Sequence, residues 1–460
     1  MASDIAFARQ RRSGPVGSTL ARIGVTPGVL FVAFMLVLWD GLPTAMIGFG
    51  GGLNASRYLY ALIVMAGLGI TLLRLATGTR RLDGFEIFSL FAFGWCTFVS
   101  ILYSVFLYPQ PASEWVTAIY TVTPLMGLFV FREFGCTLED ALKGFYVCAF
   151  FAAVIVLITP IHFFNFLGFY FRDSGFGTEY RIVLLKMQST FAFGIGFAFM
   201  LRGRSQLEKL FHAFGTIAIF VNVAIVSESR ISMAAMAIGI ALAFFLIFRF
   251  RDRMISGVAG AIGLIVAVPY VISKYFANFQ SLDDYLKNDS SATYRNMEID
   301  YFRDLFANTF GFGFGYMGRS ENKSNILAFA ATKAGTFFGN DDYGMGLDDI
   351  GIWAALFQYG YIGLLIVATL NAVSAWQLIA LARLRLVDLA AGVTGCFVIA
   401  LLIGPLPANI FTLEWTGHCG AVIWFMAAEA GRRRKALLRS RFGAGMGRSK
   451  SPRPRRMVRT

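Results

Sequence analysis

Repeated uncharged apolar runs, several of them approaching twenty residues, limit most strongly what this chain can fold into. About twenty residues of α-helix rise roughly 30 Å, the thickness of a bilayer's hydrocarbon core. With 57% hydrophobic and only 15% charged residues over 460 positions, the chain lacks the polar surface that a water-soluble protein of its size carries. Gly and Phe, 48 of each, suit a bundle in which small residues let helices approach while Phe faces lipid. The sequence predicts an all-α, polytopic membrane protein.

Twelve spans can be placed, near Val25–Ile47, Tyr58–Thr77, Phe85–Leu107, Trp115–Phe131, Leu142–Pro160, Met187–Leu201, Leu210–Val226, Ile231–Phe248, Ile255–Ile272, Gly351–Leu370, Leu389–Leu406 and Thr416–Ala430. Alternate connections are basic. They carry Arg9, Arg11, Arg12 and Arg22, then Arg74, Arg80 and Arg81, then Arg132 and Lys143. Arg202, Arg204 and Lys209 follow, then Arg249, Arg251 and Arg253, then Arg383 and Arg385. The positive-inside rule puts that side in the cytoplasm. The expected order is a basic cytoplasmic N-terminus (1–24), nine spans (25–272), a periplasmic loop (273–350), three spans (351–430) and a basic cytoplasmic tail (431–460). A bacterial inner membrane is the expected location. The first apolar run is long and lacks a small-residue cleavage site, so it reads as an uncleaved helix.

The net charge of +14 would point to nucleic acid in a soluble protein. Here the segment from Gly431 to Thr460 carries twelve Lys or Arg and no acid, which accounts for most of the excess. Beside a last span this is a positive-inside signal and a contact for anionic membrane lipid. No aromatic interleaving or recognition fold accompanies the charges, which argues against nucleic acid as a partner. The five cysteines have no CxxC spacing and read as small buried hydrophobes. His162, His212 and His418 read as packed or interfacial side chains.

Two connections on the opposite side are long, Ile161–Lys186 and Ser273–Ile350. The second is far longer than an ordinary connection, and such loops are usually functional. It is mildly acidic and holds an amphipathic helix near Tyr294–Phe306 that could lie on the membrane surface.

Three places could carry chemistry. Ser227-Glu228-Ser229-Arg230 joins the seventh and eighth spans, so Glu228 and Arg230 lie where both meet the outer interface. Ionisable residues at such depth are functional candidates, although an interfacial arginine also snorkels without further purpose. The second is the loop stretch from Ser291 to Tyr316, with Tyr294, Arg295 and Asn296, then Asn308-Thr309-Phe310-Gly311-Phe312-Gly313-Phe314-Gly315. This Gly-Phe alternation is neither a P-loop nor a dinucleotide turn, since no Gly-Lys-Ser/Thr and no parallel-sheet pattern accompany it. The third is Asp341, Asp342, Asp348 and Asp349, just before the tenth span. Capping and the helix dipole account for acids there, with a general base or a divalent-ion site as the functional reading.

In this order the features resemble the O-antigen ligase and Wzy-type polysaccharide polymerase superfamily. The resemblance rests on Ser-x-Ser-Arg ending at Arg230 and the small-residue start Ile231, Ser232, Met233, Ala234 and Ala235. It continues with Arg295 in a large outer loop, the Asn-x-Phe-Gly-x-Gly-x-Gly turn, and an acidic position before Tyr359-Gly360-Tyr361-Ile362-Gly363. It covers Ala224 to Leu365 in motifs and the whole chain in topology. The resemblance implies an enzyme that transfers a glycan from a polyprenyl-diphosphate lipid to an acceptor hydroxyl outside the membrane. Arg230 and Arg295 would hold the diphosphate through their fixed, permanently charged forks. Glu228, Tyr294, Gly313, Gly315 and Asp348 would line the substrate site. Stabilising a departing diphosphate is electrostatic work that calls for no cofactor. Where ligases of this family carry a histidine, this chain has Asp349, which favours a polymerase with Asp349 as base. A flippase upstream and a chain-length regulator are the partners such an enzyme needs. The alternatives are a ligase acting on lipid A core or protein, and a transporter or lipid-linked sugar flippase. Against the last, the halves show no repeat and no matching broken helices, and the charged candidates gather on one face.

Overall fold

The apolar runs become helices whose charged ends collect together. A computed structural model describes residues 25–40, 52–106, 120, 122–158, 171–173, 180–182, 185–226, 230–249, 252–254, 257, 290–315, 350–384, 388–403 and 415–447. These are helical apart from turns and one short hairpin, β1 (Phe171–Asp173) with β2 (Tyr180–Ile182), in which Phe171 lies opposite Ile182. The first part of the chain gives α1 (Pro27–Trp39), α2 (Gly52–Ala76), α3 (Gly84–Phe106), α4 (Gly127–Glu133) and α5 (Leu138–Ile158). Next come α6 (Lys186–Arg202), α7 (Gln206–Val221), α8 (Arg230–Leu246) and α9 (Ser290–Phe306). The last three are α10 (Ile352–Leu384), α11 (Leu389–Ile403) and α12 (Ala421–Gly447).

Five helical stretches are long and apolar enough to cross a membrane: Ala55–Ala76, Gly84–Tyr103, Leu138–Leu157, Gln206–Ala224 and Ile352–Leu384. Shorter apolar helices accompany them, among them α1 and α11. Leu62, Leu73, Phe106 and Phe214 stand exposed on these helices, as expected where lipid rather than water is the neighbour. Inside, Val422, Ile423, Trp424, Phe425 and Met426 of α12 are buried, and the Trp424 indole donates to Asn371 Oδ1 of α10 at 3.2 Å. A polar pair inside an apolar bundle fixes the rotation of one helix against the other, because an unpaired amide there costs several kcal/mol, roughly 2–7. The five cysteines are buried and unpaired with one another, as their apolar surroundings in the sequence imply.

One end of the bundle collects the basic side chains. Thr26 caps α1, accepting the Val29 N–H at 3.2 Å, and also bonds Asp140. Asp140 in turn accepts the Thr137 N–H at 2.8 Å, so the starts of α1 and α5 are tied together. Arg433 forms a two-pronged bond to Glu139 at the start of α5. Arg202, closing α6, pairs with Asp252 at 2.6 Å, and Arg383 near the end of α10 reaches the Leu246 carbonyl that closes α8. The connection from α2 to α3 meets α4 through Arg74, Arg80, Asp83, Glu86, Arg132 and Glu133.

Three spans differ from the sequence expectation. The fourth, expected from Trp115 to Phe131, is a 3₁₀ turn (Thr123–Met126) followed by the short α4. Pro124 explains the interruption, since it lacks an N–H and crowds the preceding turn. The tenth runs on to Leu384 and is broken at Gly360. The last does not stop at Ala430 but continues as α12 to Gly447, through a stretch rich in Ala, Leu, Arg and Lys that favours helix. The expected ninth span (Ile255–Ile272), the residues before Val25 and the segment 316–349 lie outside the described residues.

Candidate functional site

The Gly-Phe turn and the Tyr-Gly-Tyr segment interlock. At Gly360 the backbone takes φ 69° and ψ −171°, a region open in practice only to glycine, and α10 bends there. A helix break strands carbonyl oxygens that would otherwise accept from the next turn. Here the loop supplies the missing donors. Phe314 N–H donates to the Phe357 carbonyl at 2.9 Å and Gly315 N–H to the Gln358 carbonyl at 2.7 Å. The Trp95 indole of α3 donates to the Tyr359 carbonyl at 3.0 Å, and Tyr361 N–H donates back to the Gly311 carbonyl at 3.2 Å.

The turn has its shape because Gly311, Gly313 and Gly315 all have positive φ, 81°, 84° and 71°. A Cβ on Gly313 would stand 2.6 Å from the Gln358 oxygen, and one on Gly315 would stand 2.5 Å from Ser100 Cα. Alternation sends Phe314 inward against Phe302, Phe306 and Phe357, while Phe312 stacks on Trp95 and Phe310 is exposed. Tyr103 of α3 holds the start of the turn, donating its hydroxyl to the Thr309 carbonyl at 2.7 Å. Trp95→Phe is therefore expected to keep the packing and lose one donor to a broken helix end, costing about 1–3 kcal/mol. A lowered midpoint of thermal unfolding in detergent checks this; an unchanged midpoint would mean the Tyr359 carbonyl needs no indole.

The packing of α9 on α10 through Phe302, Phe306 and Phe357 carries the backbone of Tyr294 and Arg295 to this region, since both belong to α9. Arg230 is the first residue of α8. The other end of α8 meets Arg383, so Arg230 lies at the end of the bundle away from the basic cluster, as does the break at Gly360 near the start of α10. The π-turn Asn222–Val226 precedes it, with Asn222 fully buried. Glu228, Asp341, Asp342, Asp348, Asp349 and His162 lie outside the described residues. His212 packs between Tyr146, Phe199 and Phe211, as a packed histidine should, and burial depresses nothing that this reading needs.

A second polar group was not anticipated. Asp40 follows the last residue of α1, Gln188 is in the first turn of α6, and His418 lies on the π-turn Thr416–Gly420 that leads into α12. His418 Nδ1 is 2.6 Å from Asp40 Oδ1, and Gln188 Nε2 donates to Asp40 Oδ2 at 3.0 Å. Gln188 and Arg202 end the same helix, so this group too sits opposite the basic cluster. Trp39, Tyr58, Tyr60 and Tyr120 surround it, with Arg57 over the Trp39 ring at 5.0 Å. The sequence signal was slight: one acid at the end of an apolar run, and a histidine flanked by glycines.

A cleft of about 350 Å³ lies at the basic end instead, between α3, α10 and α12, where Asp83, Gln377, Arg432 and Lys435 line it. It is far from the motifs and is read as packing space beside the ion-pair network. No protein-family model matches the chain, and no curated protein matches it in sequence.

Proposed function

We propose that the chain is a membrane glycosyltransferase that polymerises polyprenyl-diphosphate-linked oligosaccharide repeat units into a surface polysaccharide or exopolysaccharide. In this reading it has twelve spans in a bacterial inner membrane, with both termini cytoplasmic and the loop between the ninth and tenth spans in the periplasm. The basic helix ends then face the cytoplasm, and the Gly-Phe turn, α9 and the start of α8 face the periplasm.

The observation that carries the reading is the interlocking of the Asn308–Gly315 turn with the break at Gly360. Two motifs some fifty residues apart in the sequence, each loose alone, form one joint, and that joint anchors the helix bearing Arg295. Arg230 and Arg295 supply two permanent charges for a diphosphate, one from a helix start and one from the loop helix. As glycan leaves C1 of the donor sugar, charge grows on the bridging diphosphate oxygen, and fixed guanidinium groups stabilise that charge without reorganising. Asp349 is the position that the family resemblance offers for a base. A flippase that delivers the lipid-linked units and a chain-length regulator are the expected partners.

The test is polysaccharide size in a deletion strain carrying wild type, Arg230→Ala or Arg295→Ala. Long polymer is expected to vanish in both variants, single repeat units to persist, and the protein to remain in the membrane at wild-type level. Polymer of normal amount and length in both variants would remove the reading. Normal-length polymer that stays on its lipid carrier would favour a ligase to lipid A core or protein, and loss of periplasmic repeat units would favour a flippase.

A further inference from the structure

The Asp40–His418–Gln188 group has features that packing alone does not require. A carboxylate can only accept, so the 2.6 Å contact fixes the proton of neutral His418 on Nδ1 and leaves the lone pair on Nε2. Gln188 cannot then donate to Nδ1, 3.5 Å away, and its N–H goes to the second Asp40 oxygen. Asp40 is thus held from two sides while it orients the imidazole. This is the logic by which a carboxylate fixes the tautomer of a catalytic histidine. Gln188 is 1% exposed and its Oε1 has no hydrogen-bond partner, and the hydroxyl of the adjacent buried Ser189 also lacks one. Buried amide and hydroxyl oxygens left unpaired beside an acid and a histidine are sites where a polar ligand atom would be welcome.

The setting is built rather than incidental. His418 lies on a π-turn, an irregularity that is rare and concentrated at functional sites. Its neighbour Gly417 packs so closely on Trp39 that no Cβ fits, which locks the turn against the residue preceding Asp40. The side chains of Asp40 and His418 keep 12% and 21% of their surface accessible, so the pair can be approached. Tyr58 is partly exposed and meets Tyr120 edge-on, giving aromatic faces of the kind that sugar rings stack against. Polar groups this deep in an apolar bundle, drawn from three helix ends, are functional candidates by default.

We propose that His418 Nε2, oriented by Asp40 and Gln188, is the general base for glycan transfer, taking the proton of the acceptor sugar hydroxyl. This rests on the glycosyltransferase reading above and names a base within the described residues in place of Asp349. In the step, the acceptor hydroxyl oxygen bonds to C1 of the donor sugar as its proton passes to Nε2. The C1–oxygen bond to the diphosphate breaks, its electron pair stays on that oxygen, and polyprenyl diphosphate departs as the anion. The imidazolium then releases its proton to water. His418 is the catalytic residue, and Asp40 and Gln188 are positioning residues.

The experiment uses the full-length protein in proteoliposomes, with lipid-linked repeat unit extracted from the deletion strain as substrate. His418→Gln keeps an N–H for Asp40 and so preserves the local structure, yet cannot act as base. It is expected to lower kcat by about 100-fold or more, the usual worth of a general base, with KM within about threefold of wild type. Asp40→Asn, which permits the wrong tautomer, is expected to fall in between, and Asp349→Asn to leave kcat within about threefold. A His418→Gln enzyme with wild-type kcat, or a change in KM alone, overturns the assignment. Should Arg230→Ala also support normal polymer, the glycosyltransferase reading itself has failed. If Arg230→Ala is inactive while His418→Gln is active, only the base is wrong.

Discussion

Gly360→Ala is expected to unfold the joint between loop and bundle and to leave no polymer-forming protein. The backbone at this position, φ 69° and ψ −171°, costs a residue with a Cβ about 1–3 kcal/mol before any contact is considered. The added carbon would also overlap the Gly311 carbonyl oxygen and come within 2.6 Å of the Phe312 carbonyl. These are backbone atoms of the turn, so no side chain can swing away. Either the turn retreats or α10 straightens, and both outcomes break the bonds from Phe314, Gly315 and Tyr361 that satisfy the break. Three such bonds at about 0.5–1.5 kcal/mol each, added to the conformational term, put the loss at roughly 4 kcal/mol or more. Gly94→Ala on α3 is the control. Its Cβ meets nothing within 4 Å, and in a helix interior the change is expected to be neutral or stabilising by up to about 1 kcal/mol. Unfolding midpoints in detergent and polymer length in the complemented strain measure both. Wild-type behaviour of Gly360→Ala would mean that the joint is not a fixed element.

Several features of this arrangement are legible in the sequence. Long apolar helices follow from the apolar runs, and the gathering of Arg74, Arg80, Arg132, Arg202 and Arg383 with helix ends follows from the alternation of basic connections. The order of the Asn-x-Phe-Gly turn and Tyr-Gly-Tyr is also visible, but their contact is not. Tyr359–Gly363 reads as one more apolar stretch, because glycine is common in apolar helices and does not by itself signal a break. Pro124 did carry a readable signal against a continuous fourth helix. Asp40, Gln188 and His418 are separated by 148 and 230 positions, and each sits alone among apolar neighbours. No local pattern can report a group assembled from three helix ends. The same holds for ion-pair partners: the charges show which side they occupy, while packing alone decides which acid meets which arginine.

Glu86→Ala is expected to be as damaging at the opposite end, through charge rather than shape. Glu86 is fully buried and lies between Arg80 and Arg132. Its Oε2 accepts the Asp83 N–H at 2.8 Å while Asp83 Oδ1 accepts the Glu86 N–H at 3.0 Å, a reciprocal cap on the start of α3. Arg80 also pairs with Glu133, which meets Arg74 at 2.6 Å, so α2, α3 and α4 share one network. Removing Glu86 leaves two part-buried guanidinium groups short of a counter-charge and opens the cap. Breaking such a pair costs about 3–5 kcal/mol, most of it the penalty of the stranded charge. Burial alone would raise the carboxyl of Asp83, but the Arg132 charge and hydrogen bond, with the Glu86 N–H, outweigh it and hold the group below its ordinary range. A depressed folded-state value means stability that is present above the ordinary carboxylate range and lost as pH falls through it, so this end should loosen first in acid. Glu86→Ala removes one of the groups holding Asp83 down, and its acid loss should therefore begin at higher pH. The double variant Glu86→Gln with Arg132→Met separates charge from packing, because it deletes the acid together with one of the stranded partners. It is expected to regain at least about 1 kcal/mol relative to the sum of the single changes. Strictly additive unfolding free energies in that cycle would mean that Glu86 acts as a helix cap and that the network between α2, α3 and α4 contributes nothing beyond it.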